Sequence, residues 1–349
     1  MVNVSPPSPA AADALSRLRA LFQLDKDAVR SLFSEWFYSY HADLYVHGVP
    51  FEVYVRKTAA IVRELNGAQR VLDLGAGFGV YACLLRILGV PQVVAMDYHA
   101  QKARDAAKLA RHLRLDGLHV LQGDALTLPF RGRPFDAALT LACLSHIREP
   151  GEALRMLPGQ LRPGGRVYVF EDNNSSFPGY KKEMSRVWEA AESGQYQEGL
   201  PSEKQHSESY LALRRELIRS RFPDLTSEAL DHCARETRGL YGRKLIDAVQ
   251  EYRNGSVIHN SRRHLVCHPV SGEYEEYPLN PGIVKRMLKD AGFKPRLRSP
   301  HEGPFRGRFR ILKSIAAGLL RFCPGLLPWT SPTFAVVARL PDAVIGEGR

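Results

Sequence analysis

A carboxylate followed by three glycines is the stretch of this sequence best suited to hold a charged ligand. Asp73 stands two residues before Gly75, and Gly77 and Gly79 follow at alternate positions, between an apolar run and a helical pattern. Glycine has no Cβ, so the backbone can turn tightly there and approach a ligand closely. The start of the helix beyond the turn offers N–H groups that have no partner within the helix. An anion at Asp73 suits a ligand that carries an ammonium group and is a poor neighbour for a pyrophosphate.

Two more carboxylates come directly after apolar runs. Asp97 ends the run 92–96, where it is well placed to accept hydrogen bonds from ribose hydroxyls. Asp124 follows the run 119–122, where a carboxylate could meet an adenine amino group. The other runs that read as strands are 71–74, 135–141 and 161–170. Strands that alternate with helices imply a parallel sheet, and the ligands of such sheets lie beyond the carboxyl ends of the strands.

With these motifs in this order, the chain resembles the class I S-adenosylmethionine-dependent methyltransferases, especially the small-molecule group with a D-x-G-x-G-x-G loop. The resemblance covers roughly 71–172 and resumes near Asn280. It implies S-adenosylmethionine as the cofactor and an α/β fold, a Rossmann-like seven-stranded and mostly parallel sheet with helices on both faces. The cofactor-binding residues that it implies are Asp73, Gly75, Ala76, Gly77, Asp97, Tyr98, Asp124, Ala125 and Leu141. A Rossmann-like domain that binds another nucleotide is the alternative.

The 349 residues divide by pattern into four parts. These are a tail and helical lid (1–69), the cofactor-binding core (70–173), a large, mainly helical insertion after the fifth strand (174–279), and the rest of the core (280–349) with a basic and apolar insertion (300–332). The insertion 174–279 leaves the carboxyl end of a strand, so it should help to form the acceptor pocket.

Helical spacing and capping residues predict the helices outside the first five strands. The predicted helices are 13–24 with Asp13 as its cap, one from Asp25 or Asp27 through Phe37, 51–65, 202–222, 225–237, 240–252, and one that starts at Asn280-Pro281. A hairpin is predicted at 264–279. The last two strands are predicted at 293–299 and 333–340, and the family pairs them antiparallel.

The net charge of +11 leaves three kinds of partner open, namely nucleic acid, an anionic membrane or an acidic small substrate. Much of the excess lies in 294–321, where basic residues lead into an apolar stretch that could lie on an anionic membrane surface. Alternatively, this segment packs as a helix with its arginines solvated. Nucleic acid is the less favoured of the three partners.

Composition and short motifs also bear on where the protein is located and on whether it holds a zinc ion. No uninterrupted apolar window of about 18 residues is present, so no transmembrane helix is expected. The N-terminus has no basic-then-apolar signal pattern, so a cytoplasmic location is expected. The five cysteines are scattered without a C-x-x-C motif, which predicts neither a disulfide framework nor a zinc knuckle.

The residues after the fourth and fifth strands bear on which molecule accepts the methyl group, called the acceptor below. Relatives that methylate amino groups of bases or glutamine carry D/N-P-P-Y after the fourth strand, and catechol-type relatives carry an aspartate for magnesium there. This chain has Leu141-Ala142-Cys143-Leu144, so no metal is expected to be required. His146 is the first candidate for the base that takes a hydroxyl proton, or else it orders the cofactor loop. Glu171 and Asp172 are the second candidates.

Further residues are candidates for binding the acceptor. They are Tyr38 and Tyr45 of the lid, and His206, Arg243 and His259 of the insertion. The aromatic lid residues could instead pack the lid onto the core. The sequence therefore predicts a methyltransferase (EC 2.1.1.-) that transfers the methyl group of S-adenosylmethionine to an oxygen of a small molecule, such as a glycan precursor or secondary metabolite. An RNA or protein methyltransferase and a non-catalytic, cofactor-binding partner subunit are the alternatives.

Overall fold

The structure, a computed structural model, describes residues 8–45, 48–132, 134–196, 208–298 and 330–342. The chain forms two compact units. The core unit comprises residues 1–144, 151–174 and 280–349, and the insertion unit comprises residues 145–150 and 175–279. The insertion unit thus includes the residues that follow the fourth strand as well as those that follow the fifth.

Seven strands form one sheet in the core unit. They are β1 (Arg70–Leu74), β2 (Gln92–Asp97), β3 (Leu118–Gln122), β4 (Phe135–Leu141), β5 (Leu161–Glu171), β6 (Lys294–Arg298) and β7 (Phe334–Arg339). Their order is β3-β2-β1-β4-β5-β7-β6. Strands β1 to β5 pair in parallel, and β7 is antiparallel to both of its neighbours. The predicted Rossmann-like sheet is therefore confirmed, including its antiparallel last pair.

The register of the sheet brings the carboxyl ends of the central strands together. Asp73 of β1 pairs with Ala95 of β2 on one side and with Leu139 of β4 on the other. The apolar residues of these strands, such as Val71 and Leu72, are fully buried, as expected for parallel strands that are covered on both faces. The loops that leave β1, β2 and β4 consequently start side by side.

Helices cover both faces of this sheet. Those of the core unit are α1 (Pro9–Leu21), α2 (Lys26–Leu32), α3 (Glu35–Tyr40), α4 (Ala42–Tyr45), α5 (Glu52–Leu65), α6 (Val80–Ile87), α7 (Ala100–His112), α8 (Pro150–Met156, whose first residue belongs to the insertion unit) and α13 (Pro281–Asp290). Asn280 caps α13 as predicted, since its Oδ1 accepts a hydrogen bond from Ile283 N at 2.9 Å. The proline at the first position needs no hydrogen-bond partner for its nitrogen.

Two predictions for the N-terminal helices are wrong. Helix α1 begins at Pro9, because the side chain of Ser8 rather than that of Asp13 caps it. The single helix predicted from Asp25 through Phe37 is two helices, and Ser34 caps the second one. The N–H and hydroxyl groups of Ser34 both donate to the buried carboxylate of Asp105 in α7. This tertiary anchor stabilises the break between α2 and α3.

The insertion unit is mainly helical. Its described helices are α9 (Tyr180–Ser193), α10 (Tyr210–Arg221), α11 (Ser227–Glu236) and α12 (Gly242–Arg253). Helix α9 was not predicted from the sequence. The buried guanidinium of Arg214 in α10 donates to Glu192 of α9 and to the carbonyl oxygen of Ala234 in α11. A buried charge must be paired, so this arginine joins the three helices.

The hairpin predicted at 264–279 is reduced to a single bridge between Cys267 and Tyr274. Hydrogen bonds from His268 N to Glu273 O and from Glu275 N to Val266 O, both 2.8 Å, flank this bridge. On the outer edge of the second strand, the N–H groups of Tyr274 and Tyr277 donate to the carbonyl oxygens of His146 and Ser145, at 3.0 and 2.7 Å. The segment after the fourth strand therefore pairs with this outer edge.

The basic and apolar insertion at 300–332 falls almost wholly outside the described residues. Its described neighbour, β6, exposes Lys294, Arg296 and Arg298 at alternate positions, which is the period of one face of a strand. None of the described helices is both long enough and apolar enough to cross a membrane.

Candidate active site

The glycine-rich loop joins β1 to α6 and is held against β2. Gly75 N and Ala76 N donate to the carbonyl oxygen of Met96 at 2.8 and 3.0 Å. Gly75 has a φ of +74°, and a Cβ on it would lie 1.9 Å from Cys143 Sγ. Gly77 has a φ of +56°, and a Cβ on it would project into open space. The first glycine is needed for close packing, and the second leaves room beside the loop for a ligand.

The carboxylate of Asp73 faces no compensating positive charge from the residues that the structure describes. The residue is 1% exposed, and its Oδ2 accepts no hydrogen bond from any residue that the structure describes. Burial and the nearby charge of Asp97 raise the pKa of Asp73 to about 7. A cation bound at the loop would favour the ionised form. S-adenosylmethionine carries an ammonium and a sulfonium group, so these residues fit its amino-acid end.

Asp97 organises the loop from the end of β2. Its Oδ2 accepts a hydrogen bond from Gly77 N at 2.8 Å, and its Oδ1 accepts one from His99 N at 2.9 Å. Each oxygen of an ionised carboxylate can accept a second hydrogen bond, which leaves capacity for a ribose diol. Tyr98, the next residue, is 46% exposed.

The other residues predicted to bind the cofactor start from the same edge of the sheet. Gly123 N donates to Asp97 O at 2.9 Å and so brings the loop that contains Asp124 and Ala125 to the end of β2. Asp124 Oδ1 accepts a hydrogen bond from Leu126 N at 2.9 Å, which stabilises this loop. Leu141 is half-buried at the end of β4. The structure thus brings all nine predicted positions to the carboxyl ends of β1 to β4.

Phe78, between Gly77 and Gly79, was not singled out in the sequence. Its ring is buried among four aromatic rings, three from α3 and one from the residue that follows α3. The centroid distances are 5.2–5.7 Å. These rings belong to Trp36, Phe37, Tyr40 and His41. Burial lowers the pKa of His41 to about 4, so its imidazole is neutral. An aromatic residue between two loop glycines was the signal available in the sequence.

The lid tyrosines predicted to bind the acceptor pack on each other. The rings of Tyr38 and Tyr45 are 5.0 Å apart and stacked. Both pack against the apolar cluster that joins the N-terminal helices to α6 and α7, and Tyr45 Oη donates to the carbonyl oxygen of Leu21 at 3.4 Å. These contacts support the alternative that they pack the lid onto the core.

The two acidic candidates at the end of β5 differ in their exposure to solvent. Glu171 is fully buried, and its Oε1 accepts a hydrogen bond from Leu144 N at 2.9 Å. It therefore helps to fix the segment after β4, and its role as a base stays a prediction. Asp172 is exposed, and its charge raises the pKa of Tyr40, which burial already raises.

Lys57 of α5 was also missed by the sequence analysis. Its Nζ lies 3.3 Å from the centroid of the Phe170 ring and 5.1 Å from that of the Tyr81 ring. Burial lowers the pKa of Lys57 to about 8, against the opposing effect of Asp172 and Glu171. The amine is therefore partly neutral close to physiological pH. No sequence pattern marks it, because the rings come from β5 and α6.

His146 lies in the insertion unit, and both nitrogens of its ring face oxygen atoms. Its Nδ1 is 3.0 Å from Tyr274 O, and its Nε2 is 3.8 Å from the Glu276 carboxylate. Desolvation opposes the charged imidazolium, but Glu276 and Glu275 outweigh it and raise the pKa of His146 to about 9. An imidazole that is protonated at neutral pH cannot accept a proton. These properties argue against the predicted role of His146 as a base.

The remaining candidates of the insertion unit lie at its surface. The side chain of Arg243 is 92% exposed and lies near Asp247 on the same helix, and His259 is exposed. His206 lies outside the described residues. Among the residues that are described, no group of three or more His, Cys, Asp or Glu side chains is arranged to hold a metal ion.

Comparison with known proteins assigns the domain. The family model of a methyltransferase domain matches residues 72–169. A demethylmenaquinone methyltransferase from Renibacterium salmoninarum is 32% identical over 35% of this chain and 50% of its own length. A ubiquinone biosynthesis O-methyltransferase from Caulobacter vibrioides is 32% identical over 33% of this chain and 48% of its own length. The chain spans about half the length of these relatives.

A solved S-adenosylmethionine-dependent methyltransferase from Thermotoga maritima aligns with 88% of this chain and 98% of its own, at 13% identity and a TM-score of 0.43. The domain match coincides with the strands and loops that place Asp73, Gly75, Gly77 and Asp97 at one edge of the sheet. On the domain match, residues 72–169 form a methyltransferase domain, and this part of the chain is similar to the class I S-adenosylmethionine-dependent methyltransferases, whose cofactor is S-adenosylmethionine.

Proposed function

We propose that this protein transfers the methyl group of S-adenosylmethionine to an oxygen atom of a small molecule, by in-line displacement and without a required metal. The observation that carries the proposal is the buried Asp73 carboxylate, whose Oδ2 has no hydrogen-bond donor among the described residues, beside a loop with open space at Gly77. The Caulobacter relative, named as an O-methyltransferase of ubiquinone biosynthesis, supports an oxygen acceptor.

The residues of the core unit have separable roles in this proposal. When bound, S-adenosylmethionine supplies a methyl group made electrophilic by its positively charged sulfur. Asp73 would compensate the positive charge of the cofactor, and Asp97, which holds Gly77, would accept hydrogen bonds from the ribose hydroxyls. The residues that would border the adenosine are Tyr98, Asp124, Ala125 and Leu141. The protein mainly orients the reacting atoms and excludes water, which is the larger part of catalysis for a displacement.

Cofactor binding can be tested at Asp97. We expect Asp97→Ala to weaken S-adenosylmethionine binding by about 10- to 100-fold, since hydrogen bonds to a charged group are worth about 1.5–3 kcal/mol. Isothermal titration calorimetry measures this change, and Asp290→Ala, at an exposed position of α13, is the matched control. Wild-type affinity in Asp97→Ala would contradict the proposed role of this residue.

The acceptor is tested with methyl-labelled S-adenosylmethionine and a panel of phenols, methyl glycosides and small amines. Label in an ether product supports oxygen transfer, whereas label in an amine product contradicts it. Tight cofactor binding without any transfer would favour the reading as a non-catalytic partner subunit.

An RNA acceptor is the second candidate, and two observations favour it. Lys294, Arg296 and Arg298 are exposed along β6 and form a basic face. A tRNA U34 carboxymethyltransferase from a Geobacter strain is also 29% identical over 36% of this chain. Binding to tRNA that weakens steeply between low and high salt would support this reading, and the absence of tRNA binding at low salt would exclude it.

A further inference from the structure

Lys57 lies at the edge of the sheet where the ligands of this fold are bound. Its Nζ is 3.3 Å from the ring centroid of Phe170 and 5.1 Å from that of Tyr81, and the ring of Tyr81 stacks on that of Tyr54 at 5.5 Å. Phe170 is next to the last residue of β5 and pairs with Leu141 at the end of β4. The amine is therefore enclosed by aromatic rings at the carboxyl end of the sheet.

The amine of Lys57 has unused hydrogen-bonding capacity. In the part of the chain that the structure describes, its contacts are the two rings and the more distant charges of Asp172 and Glu171, and no hydrogen bond or ion pair within 4.0 Å is formed. Aromatic faces attract a cation, but they leave its N–H donors without oxygen partners. A half-buried lysine in this state is suited to meet an oxygen atom of a bound molecule.

The groups around Lys57 set its protonation. Asp172 and Glu171 at the end of β5 favour the ammonium, but burial outweighs them and lowers the pKa of Lys57 to about 8. Burial raises the pKa of Tyr81 in α6, so its phenol stays neutral. Of the groups around Lys57 whose pKa is shifted, the Lys57 amine is the one that exchanges a proton near physiological pH.

We propose that Lys57 is the general base of the methyl transfer and that the acceptor is a phenol whose hydroxyl group is held at Nζ. This inference rests on the methyl transfer proposed above. The hydroxyl proton moves to the neutral amine, and the oxygen forms its bond to the methyl carbon. The electron pair of the broken carbon–sulfur bond stays on sulfur. Charge is conserved, because one ammonium forms as one sulfonium becomes a thioether.

Two properties of the cluster select a phenol over an aliphatic alcohol. The side chains around Nζ are aromatic, and flat rings pack well among them. A phenolic hydroxyl has a pKa of about 10, roughly two units above that of Lys57. An aliphatic hydroxyl resembles water, with a pKa of about 15.7, so its proton would be held far too tightly for this amine.

Two substitutions separate a base from a structural cation. Lys57→Met removes the amine and keeps the apolar stem, whereas Lys57→Arg keeps the positive charge but cannot lose a proton at these pH values. We expect both variants to bind S-adenosylmethionine as the wild type does. We also expect both to methylate catechol or 4-hydroxybenzoate about 100-fold or more slowly, the usual contribution of a general base. Lys289→Met, at an exposed position of α13, is the control and should match the wild type.

Two readouts do not depend on the assay of turnover. Lys57 should be acylated by a mild reagent with a midpoint near pH 8, well below that of a reference lysine peptide, as followed by peptide mass spectrometry. Phenol binding to the complex with S-adenosylhomocysteine, measured by calorimetry, should weaken by up to about 10-fold in Lys57→Met, since the hydrogen bond between the phenol and the amine is lost.

The outcomes distinguish this inference from the proposed function. Full activity in Lys57→Arg, a labelling midpoint near pH 10, or failure of both phenols to bind would overturn the role of Lys57. Methylation of a glycoside or an amine, with no methylation of phenols, would overturn the phenol and leave methyl transfer standing. A wild-type protein that does not bind S-adenosylmethionine contradicts the proposed function itself, whatever the labelling midpoint of Lys57.

Discussion

The ring of Phe78 meets the ring of Phe37 edge to face, with 5.5 Å between the centroids and 78° between the planes. Phe78 belongs to the glycine-rich loop and Phe37 to α3 of the N-terminal lid. Both rings are fully buried. The glycine-rich loop is thus held on one side by β2 and on the other by the N-terminal helices.

Removal of this ring should affect both stability and binding. We expect Phe78→Ala to lower the free energy of unfolding by about 3–5 kcal/mol, the usual cost of a buried phenylalanine, and to weaken S-adenosylmethionine binding because the loop loses its anchor. Denaturant unfolding and calorimetry measure the two effects. Trp36→Ala, which removes a half-exposed ring from the same cluster, should cost less. An equal loss of stability in both variants would show that Phe78 contributes no more to the stability of this cluster than Trp36 does.

The two loop glycines should respond differently to a methyl group. In Gly75→Ala the new Cβ overlaps Cys143 Sγ, so we expect a loss of stability of about 1–3 kcal/mol from overpacking and backbone strain. In Gly77→Ala only the strain of a positive φ applies, roughly 1 kcal/mol. Thermal unfolding compares the two.

The overlap itself can be tested by a compensating change. Because Cys143→Gly removes the atoms that the new Cβ would meet, the double variant Gly75→Ala/Cys143→Gly should regain part of the stability lost in Gly75→Ala. Purely additive effects in this double-mutant cycle would show that the sulfur does not restrict Gly75.

The buried Asp73 makes the stability of the cofactor-free protein depend on pH. Its pKa is raised from 3.8 to about 7, so its contribution is fully favourable below pH 3.8 and is lost as the pH rises through 7. We expect the free energy of unfolding to fall by about 3 kcal/mol from this group between pH 5 and pH 8. Asp73→Asn should remove that fall, as measured by denaturant unfolding at both pH values.

The same group should release a proton when the positively charged cofactor binds near pH 6. Calorimetry in buffers with different ionisation enthalpies detects such a proton, and Asp73→Asn serves as the comparison. If the wild type and Asp73→Asn release equal numbers of protons, the ionisation of Asp73 is not coupled to cofactor binding.

His146 should contribute to stability rather than to proton transfer. Its pKa is raised from 6.5 to about 9, so its stabilising effect is complete below pH 6.5 and is lost as the pH rises through 9. The side chain is 37% exposed, and solvent screening limits the effect to about 1 kcal/mol. We expect His146→Gln to be less stable than the wild type at pH 6 and equally stable at pH 10.

Turnover of His146→Gln at neutral pH should stay within about threefold of the wild type, well short of the loss expected for a general base. His112→Gln, at the exposed end of α7, is the control for both measurements. A loss of turnover of 100-fold or more, with cofactor affinity intact, would restore His146 as the base.

The sequence alone predicted the seven-stranded sheet and, through its resemblance to a known family, the cofactor. The strand, turn and helix around Asp73 are local features, because glycine permits the turn and the apolar runs on either side have the length of buried strands. Asp97 could be recognised for the same reason, as it ends such a run. Asn280 marked the start of α13, since capping needs only a side chain and a free N–H three residues further on.

The chemistry of the candidate site was decided by the tertiary structure. Lys57 and Phe170 are far apart in the chain, and only packing brings the amine to the ring and lowers its pKa. His146 is predicted as a base because a histidine follows the fourth strand, whereas the Glu276 carboxylate, 3.8 Å from its Nε2, raises its pKa. Desolvation and charge act through space, so the protonation of a side chain depends on neighbours that the linear order of residues does not reveal.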